Sequence, residues 1–164
     1  MSANSPNTAQ GIKIVAQNRK ALHDYEVLQR VEAGIELRGT EVKVIREGHA
    51  SLVGAYADID KYKNEAWLIG VNIPLYGFGN IFNHDTHRNR RLLLHKREIL
   101  KLREHTERKG NTLVPLSLYL KKGKVKCQIG ICRGKAAHDK RETIRRREGD
   151  LQARRAVANA MKRR

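Results

Sequence analysis

Aromatic side chains are scarce in this 164-residue chain: two Phe, one Trp and five Tyr. A protein that reads many splayed bases needs such rings ranked along one sheet face, so the composition argues against that mode. Cysteine is scarcer still. Cys127 and Cys132 stand five apart, which on an extended strand puts them on opposite faces. That suits neither a disulfide hairpin nor a CxxC metal knuckle, and the simplest setting is a reducing, cytoplasmic one. Long apolar runs are lacking. The longest, Ala66 to Gly79, is broken by Asn72 and Pro74 and is too short to span a bilayer. The opening MSANSPNTAQ has neither the basic start nor the apolar middle of a secretory signal. Acid is half as common as base, 17 Asp and Glu against 34 Lys and Arg, leaving a net charge of +17. So large an excess repels itself in a compact body and expects a polyanion, either nucleic acid or an anionic membrane.

What is present is one domain's length of chain with 40% hydrophobic residues, enough for a single modest core. Residues 1–11 read as a flexible leader and 12–138 as the folded body. Tyr25 to Leu37 alternates apolar and polar with an irregularity expected near Ala33-Gly34. Glu41 to Glu47, closed by Gly48, predicts about two helical turns. Tyr56–Asp60 and Glu65–Ile73 read as a hairpin joined by the polar segment 61–64. Lys96–Lys109 is the most helical segment, with His95 and Glu98 spaced as a capping box. Leu113–Leu120 and Lys124–Cys132 flank Lys121-Lys122-Gly123 and form the strongest hairpin signal. Five or six short strands with one well-marked helix predict a mainly β chain with short helices, a small antiparallel barrel of the OB type. Residues 139–164 form a basic tail with ten Lys or Arg against four acids, a net +6. Its thin apolar stripe of Ile144, Leu151, Ala158 and Met161, interrupted by Gly149, predicts disorder in isolation and a helix where something covers that face.

No catalytic set assembles. His84-Asp85-Thr86-His87 offers two histidines and an acid, but the cysteines supply no further metal ligand, so a polar loop is expected there. Gly77-Phe78-Gly79 lacks the third glycine of a dinucleotide loop, no phosphate loop occurs, and Ser51 and Ser117 have no nucleophile-elbow context. Glu32, Glu41 and Glu47 form no paired-carboxylate motif, and no cofactor or metal is implied. The basic clusters carry more. Arg88, Arg90, Arg91, Lys96 and Arg97 surround Leu92-Leu93-Leu94. Lys121, Lys122, Lys124 and Lys126 gather at the hairpin, and Arg133 and Lys135 follow it. Lys124 and Lys126 project from one strand face, where ammonium groups can track a phosphate backbone. Such residues position a backbone without reading its sequence, so shape recognition of a folded RNA fits better than sequence readout. A generic ribosomal or structural RNA-binding protein is the reading that composition alone supports.

The motifs go further. Asn18-Arg19-Lys20-Ala21, Glu32-Ala33-Gly34-Ile35, Gly39-Thr40-Glu41-Val42-Lys43, Arg88-Asn89-Arg90-Arg91-Leu92-Leu93-Leu94, Glu98-Ile99, Leu116 to Tyr119, Gly134-Lys135 and Asp139-Lys140-Arg141 follow one another in order. Together they resemble the SsrA-binding protein (small protein B) family from about Ile14 to Arg141. The resemblance implies an OB-type barrel acting in trans-translation. Such a protein binds the tRNA-like domain of transfer-messenger RNA and escorts it, with elongation factor Tu, to stalled ribosomes. It implies a monomer that performs no chemistry, whose tail becomes helical in the vacant mRNA path beyond the decoding centre. By the same resemblance Glu32 is an RNA-binding glutamate, and Leu93 with position 95, here His95 where the family often has Asn, forms a second patch. Gly134-Lys135, Asp139-Lys140-Arg141 and the basic Arg145, Arg146 and Arg147 are tail elements needed after delivery. Ala136 replaces a second lysine common among relatives, and His138 falls where some carry a histidine directed to the decoding centre.

Overall fold

The computed structural model describes residues 11–162. Within the last helix, the side chains of residues 137–140, 143, 157 and 160–162 lie outside that description. Among the described residues, seven strands and four α-helices, with one short 3-10 turn at Asn80–Phe82 between β4 and β5, follow in the order β1 (Ile12–Gln17), α1 (Arg19–Asp24), β2 (Tyr25–Ile35), α2 (Gly39–Arg46), β3 (Tyr56–Asp60), β4 (Glu65–Ile69), β5 (Arg90–Leu93), α3 (Lys96–Glu107), β6 (Asn111–Lys121), β7 (Lys124–Gly134) and α4 (Ala137–Lys162). All pairings are antiparallel, in the order β1-β6-β3-β4-β5-β2-β7, and β6 also pairs with β7. The last pairing closes the sheet, so the expected OB-type barrel is the architecture found, with β1 lying on β6 beside β3. Closure removes the open edges that a sheet of this length would otherwise offer to other chains.

The strongest expectation from the sequence, the β6–β7 hairpin, is found, with both strands longer than expected and Lys121 closing β6 opposite Lys124 instead of lying in the turn. Lys122 and Gly123 both have positive φ, 50° and 76°, the signature of a two-residue turn whose twist matches the strands. Along β7, Cys127, Ile129 and Ile131 enter the core while Lys124, Lys126 and Gln128 point outward. Cys127 sits in the main core, and Cys132 packs on the outer side with Ala21, Val114 and Leu116 beneath α1. The two thiols thus occupy opposite faces, and burial pushes their pKa values up to about 12 and about 11. Neither is a thiolate at neutral pH.

Other expectations need correction. The irregularity in β2 falls between Val27 and Gln29, leaving Leu28 exposed, and not at Ala33-Gly34. Ala33 is fully buried and faces Cys127, so that stretch has no slack for an extra residue. The strand from Glu65 ends at Ile69, because Gly70 turns the chain at φ 77°. Neither β1 nor β5 was singled out in the sequence, and in β5 the charge of Arg90 and Arg91 masks the alternation. Helix α4 runs on through Gly149, where the sequence marks an interruption of the apolar stripe and not of the helix, and every described side chain from Arg141 onward is exposed. The leader falls almost wholly outside the described residues.

Candidate nucleic-acid interface

The register of the barrel builds one outward row across five strands. Ile14 faces Tyr119, Tyr119 faces Lys126, Lys126 faces Gly34, and Gly34 faces Leu93. The next row aligns Ser117, Gln128 and Glu32. Strand β5 alternates buried and exposed, which turns Arg91 and Leu93 outward while Arg90 and Leu92 point in. An ideal Cβ on Gly34 would stand 3.2 Å from the Leu93 Cβ, so glycine lets β5 approach β2 closely at this row. The result is an open groove whose lining includes Glu32, Gly34, Arg91, Leu93, His95 and Lys126.

Glu32 lies at one wall. Its Oε2 accepts from the Tyr119 hydroxyl at 2.6 Å, and Lys121 Nζ donates to both oxygens at 3.2 and 3.0 Å. The Tyr119 bond first, then Lys121, hold the carboxyl below its usual range. Burial and the Glu32 charge raise the Tyr119 pKa, so its hydroxyl stays a donor. The carboxylate remains part exposed and keeps lone pairs directed at solvent, able to accept from base N–H or ribose 2′-OH groups. Beside it, Lys126 and Arg91 supply cations, and the half-exposed Leu93 gives an apolar floor. At the groove's far end His95 occupies the cap position just before α3. Glu98 Oε2 accepts the His95 backbone N–H at 2.8 Å, and the imidazole makes no capping bond, leaving the ring exposed.

Other residues expected in the interface are placed elsewhere. Arg90 is fully buried and offers no surface to a phosphate. Its Nε donates to Glu41 Oε1 at 2.9 Å, Nη1 to the carbonyls of Val71 and Arg88, and Nη2 to that of Thr86. Arg88 donates to both Glu41 oxygens, at 3.0 and 2.6 Å, and is mostly buried. Burial alone would raise the Glu41 pKa, but the Arg88 bonds, the Arg38 N–H and the Arg90 charge reverse it to a net lowering. Asn18 is buried as the cap of α1: its Oδ1 accepts from the Ala21 N–H, and its Nδ2 donates to the carbonyls of Leu52 and Pro115. These three side chains hold the scaffold that presents the groove. Among the histidines, His84 is buried between the Thr40 hydroxyl, 2.9 Å from Nδ1, and the Ile73 carbonyl, 3.0 Å from Nε2. The loop is therefore a structural clamp. Among the described residues no group of three or more His, Cys, Asp or Glu is placed to hold a metal ion.

Arg19, Lys20, Arg133 and Lys135 gather at the opposite end of β2 and β7, where Tyr25 faces Gly134. That is about eight residues along β7 from Lys126, roughly 26 Å at ~3.3 Å per residue. Arg133 pairs with Glu26 at 3.0 Å, an exposed bridge that contributes little to stability. Lys135 donates its backbone N–H to the Asp24 carbonyl and its Nζ to that of Leu22, fastening the start of the tail to the end of α1. Lys124 is exposed at the hairpin tip, and Lys43 is exposed on α2 with its Nζ 4.9 Å from the Tyr76 ring centroid. The side chains of His138, Asp139 and Lys140 lie outside the described residues. Arg141, Arg145, Arg146 and Arg147 are exposed on α4.

A family model described as "SmpB protein" matches residues 15–159. The chain belongs to the SmpB protein family. Curated relatives agree. The SsrA-binding protein of Levilactobacillus brevis is 56% identical over 149 residues, covering 91% of each chain. That of Ligilactobacillus salivarius is 52% identical over 145 residues, 88% of this chain and 92% of its own. That of Chlamydia trachomatis is 52% identical over 153 residues, 93% and 97%. Among solved structures, a chain described as "tmRNA-SmpB: a journey to the center of the bacterial ribosome" aligns at a TM-score of 0.64 and 43% identity, covering 79% of this chain and 94% of its own. Within this SmpB member, the groove unites Glu32 with Leu93 and His95, which the resemblance divides between two patches. Two side chains, one beside the groove and one in the scaffold beneath it, were not singled out in the sequence. Tyr119 was hidden as one more strand residue, although its phase on β6 is opposite to that of the buried Leu118. Glu41, one of three glutamates that form no paired-carboxylate motif in the sequence, is the counterion of two arginines.

Proposed function

We propose that this chain is the RNA-binding escort of transfer-messenger RNA in ribosome rescue. Its groove grips the tRNA-like domain, and its tail occupies the vacant mRNA path of a stalled ribosome. The observation that carries the reading is the groove itself, where Glu32, Arg91, Leu93, His95 and Lys126 meet on one open barrel face. Cations there position the backbone, and the Glu32 carboxylate selects groups that donate hydrogen bonds. An acceptor in a cationic groove costs raw affinity and gives discrimination. Membership of the SmpB family and the ribosome named for the solved relative support the same reading.

On this proposal the chain works as a cytoplasmic monomer, carries elongation factor Tu with it, and catalyses no reaction. No helix of the described residues is long and apolar enough to cross a membrane. The tail is disordered away from the ribosome and ordered within it. Its exposed Ile144 and Leu151 leave the helix no covered face of its own. Arg19, Lys20, Arg133 and Lys135 lie where the tail departs and would guide it toward ribosomal RNA.

The test is binding at one fixed salt concentration to the tRNA-like domain, to ordinary tRNA and to duplex RNA. The proposal expects clear preference for the first. Equal affinity for all three would reduce the chain to a generic RNA-binding protein.

A further inference from the structure

Both phenylalanines of the chain stand on one loop between β4 and β5, and both are displayed to solvent: Phe78 is 83% exposed and Phe82 84%, with Ile81 at 89% between them. The loop is held at its neck. Asn83 Oδ1 accepts the Tyr76 N–H at 3.1 Å, and Asn83 Nδ2 donates to the Tyr76 carbonyl at 2.7 Å, as a neighbouring strand would. Gly79 donates its N–H back to the Tyr76 carbonyl at 2.9 Å, and a Cβ there would stand 2.6 Å from Asn83 Nδ2. Phe78 meets the Tyr76 ring edge-on at 5.7 Å. No charged residue lies between Ile73 and Asn83. A pinned loop that shows water its largest apolar side chains marks an interaction site.

What reaches this tip is indicated by continuity with the groove. Lys121 and Lys124 flank the β6–β7 turn, and the turn's Gly123 carbonyl accepts from Arg46 Nη2 of α2 at 3.4 Å. Lys43, one helical turn before Arg46, places its ammonium over the Tyr76 ring. A line of cations therefore runs from the groove across α2 and ends on aromatic rings. Cations tracking a backbone beside rings that accept base faces is how proteins hold unstacked nucleotides. We propose that Phe78 and Phe82 form a base-stacking tip, which takes unpaired bases of the same RNA whose backbone follows Lys124, Arg46 and Lys43. The inference rests on the RNA-binding reading above and extends the interface to a second, stacking element.

The full chain is titrated with the tRNA-like domain over a series of salt concentrations. Replacing both rings, Phe78→Ser with Phe82→Ser, is expected to weaken binding roughly five- to a hundredfold per lost stack at every salt concentration. The slope of log affinity against log salt stays unchanged, because no phosphate contact is lost. The pair Lys124→Ala with Lys126→Ala behaves differently, flattening that slope by about 0.9 for each contact removed. Phe→Tyr at both positions retains affinity and Phe→Leu does not, since stacking needs a ring. The unfolding midpoint of the serine variant matches that of the parent, as both side chains are exposed. Parental affinity in the serine variant overturns the inference. Retention by leucine equal to that by tyrosine also overturns it, and assigns the tip to an apolar protein surface. The parent chain alone tests the broader reading by its preference for this RNA over duplex, so the two failures are read from different comparisons.

Discussion

Glu41→Gln is expected to destabilise the chain by about 3–5 kcal/mol, the usual cost of leaving a buried charge without its partner. The substitution nearly preserves shape. What it removes is the charge that compensates Arg90, whose side chain is fully buried, as is that of Glu41. It also weakens the bond from the Arg38 N–H, 2.7 Å from Oε2, that fixes the first turn of α2. For a chain of this size the loss corresponds to a fall in Tm of about 10 °C. Chemical denaturation with an unchanged m-value checks it; a loss below about 1 kcal/mol would mean that Arg90 relaxes to solvent. The pH dependence has a definite sign. The native carboxyl titrates below its ordinary value of 4.5. Its stabilisation is therefore fully present above about pH 4.5 and is lost as the pH falls through the lower native value. The parent should weaken in that acid window, and the Gln variant should lack this contribution.

Truncation after Lys135 is the second large effect. The groove residues all precede that position, and Lys135 itself is anchored to the end of α1. The shortened chain is expected to bind the isolated tRNA-like domain nearly as well as the parent, with a modest loss from its lower net charge. Peptide tagging on stalled ribosomes should fall to background, because on our proposal residues 139–164 alone enter the mRNA path. A severe loss of affinity for the isolated domain would put the tail in the primary binding site.

The barrel was legible where period and turn chemistry agreed. Cys127, Ile129 and Ile131 alternate with Lys126 and Gln128, and Lys122-Gly123 supplies the positive φ angles of the turn. β5 was not legible, because Arg90 points inward. No single-sequence rule predicts a buried arginine until its counterion is known, and Glu41 lies 49 residues away. The same long-range pairing explains why Arg88, Arg90 and Arg91 read as one basic cluster and divide in the structure into two scaffold residues and one groove residue. Motif order placed Glu32, Leu93 and His95 in the interface, and only the register of β2 with β5 brings them to one groove. The scarcity of rings argues against a broad stacking platform. Phe78 and Phe82 are four residues apart in the sequence, and the structure adds what composition does not carry, that both are exposed at one tip.

The most direct measurement is tagging by the full chain in a purified translation system stalled on a message without a stop codon, supplied with transfer-messenger RNA and elongation factor Tu. The proposal predicts tag addition that depends on this chain, and its loss when Glu32 and Leu93 are replaced together by alanine. Tag addition unaffected by omitting the chain, or none with it present and bound to the RNA, would contradict it.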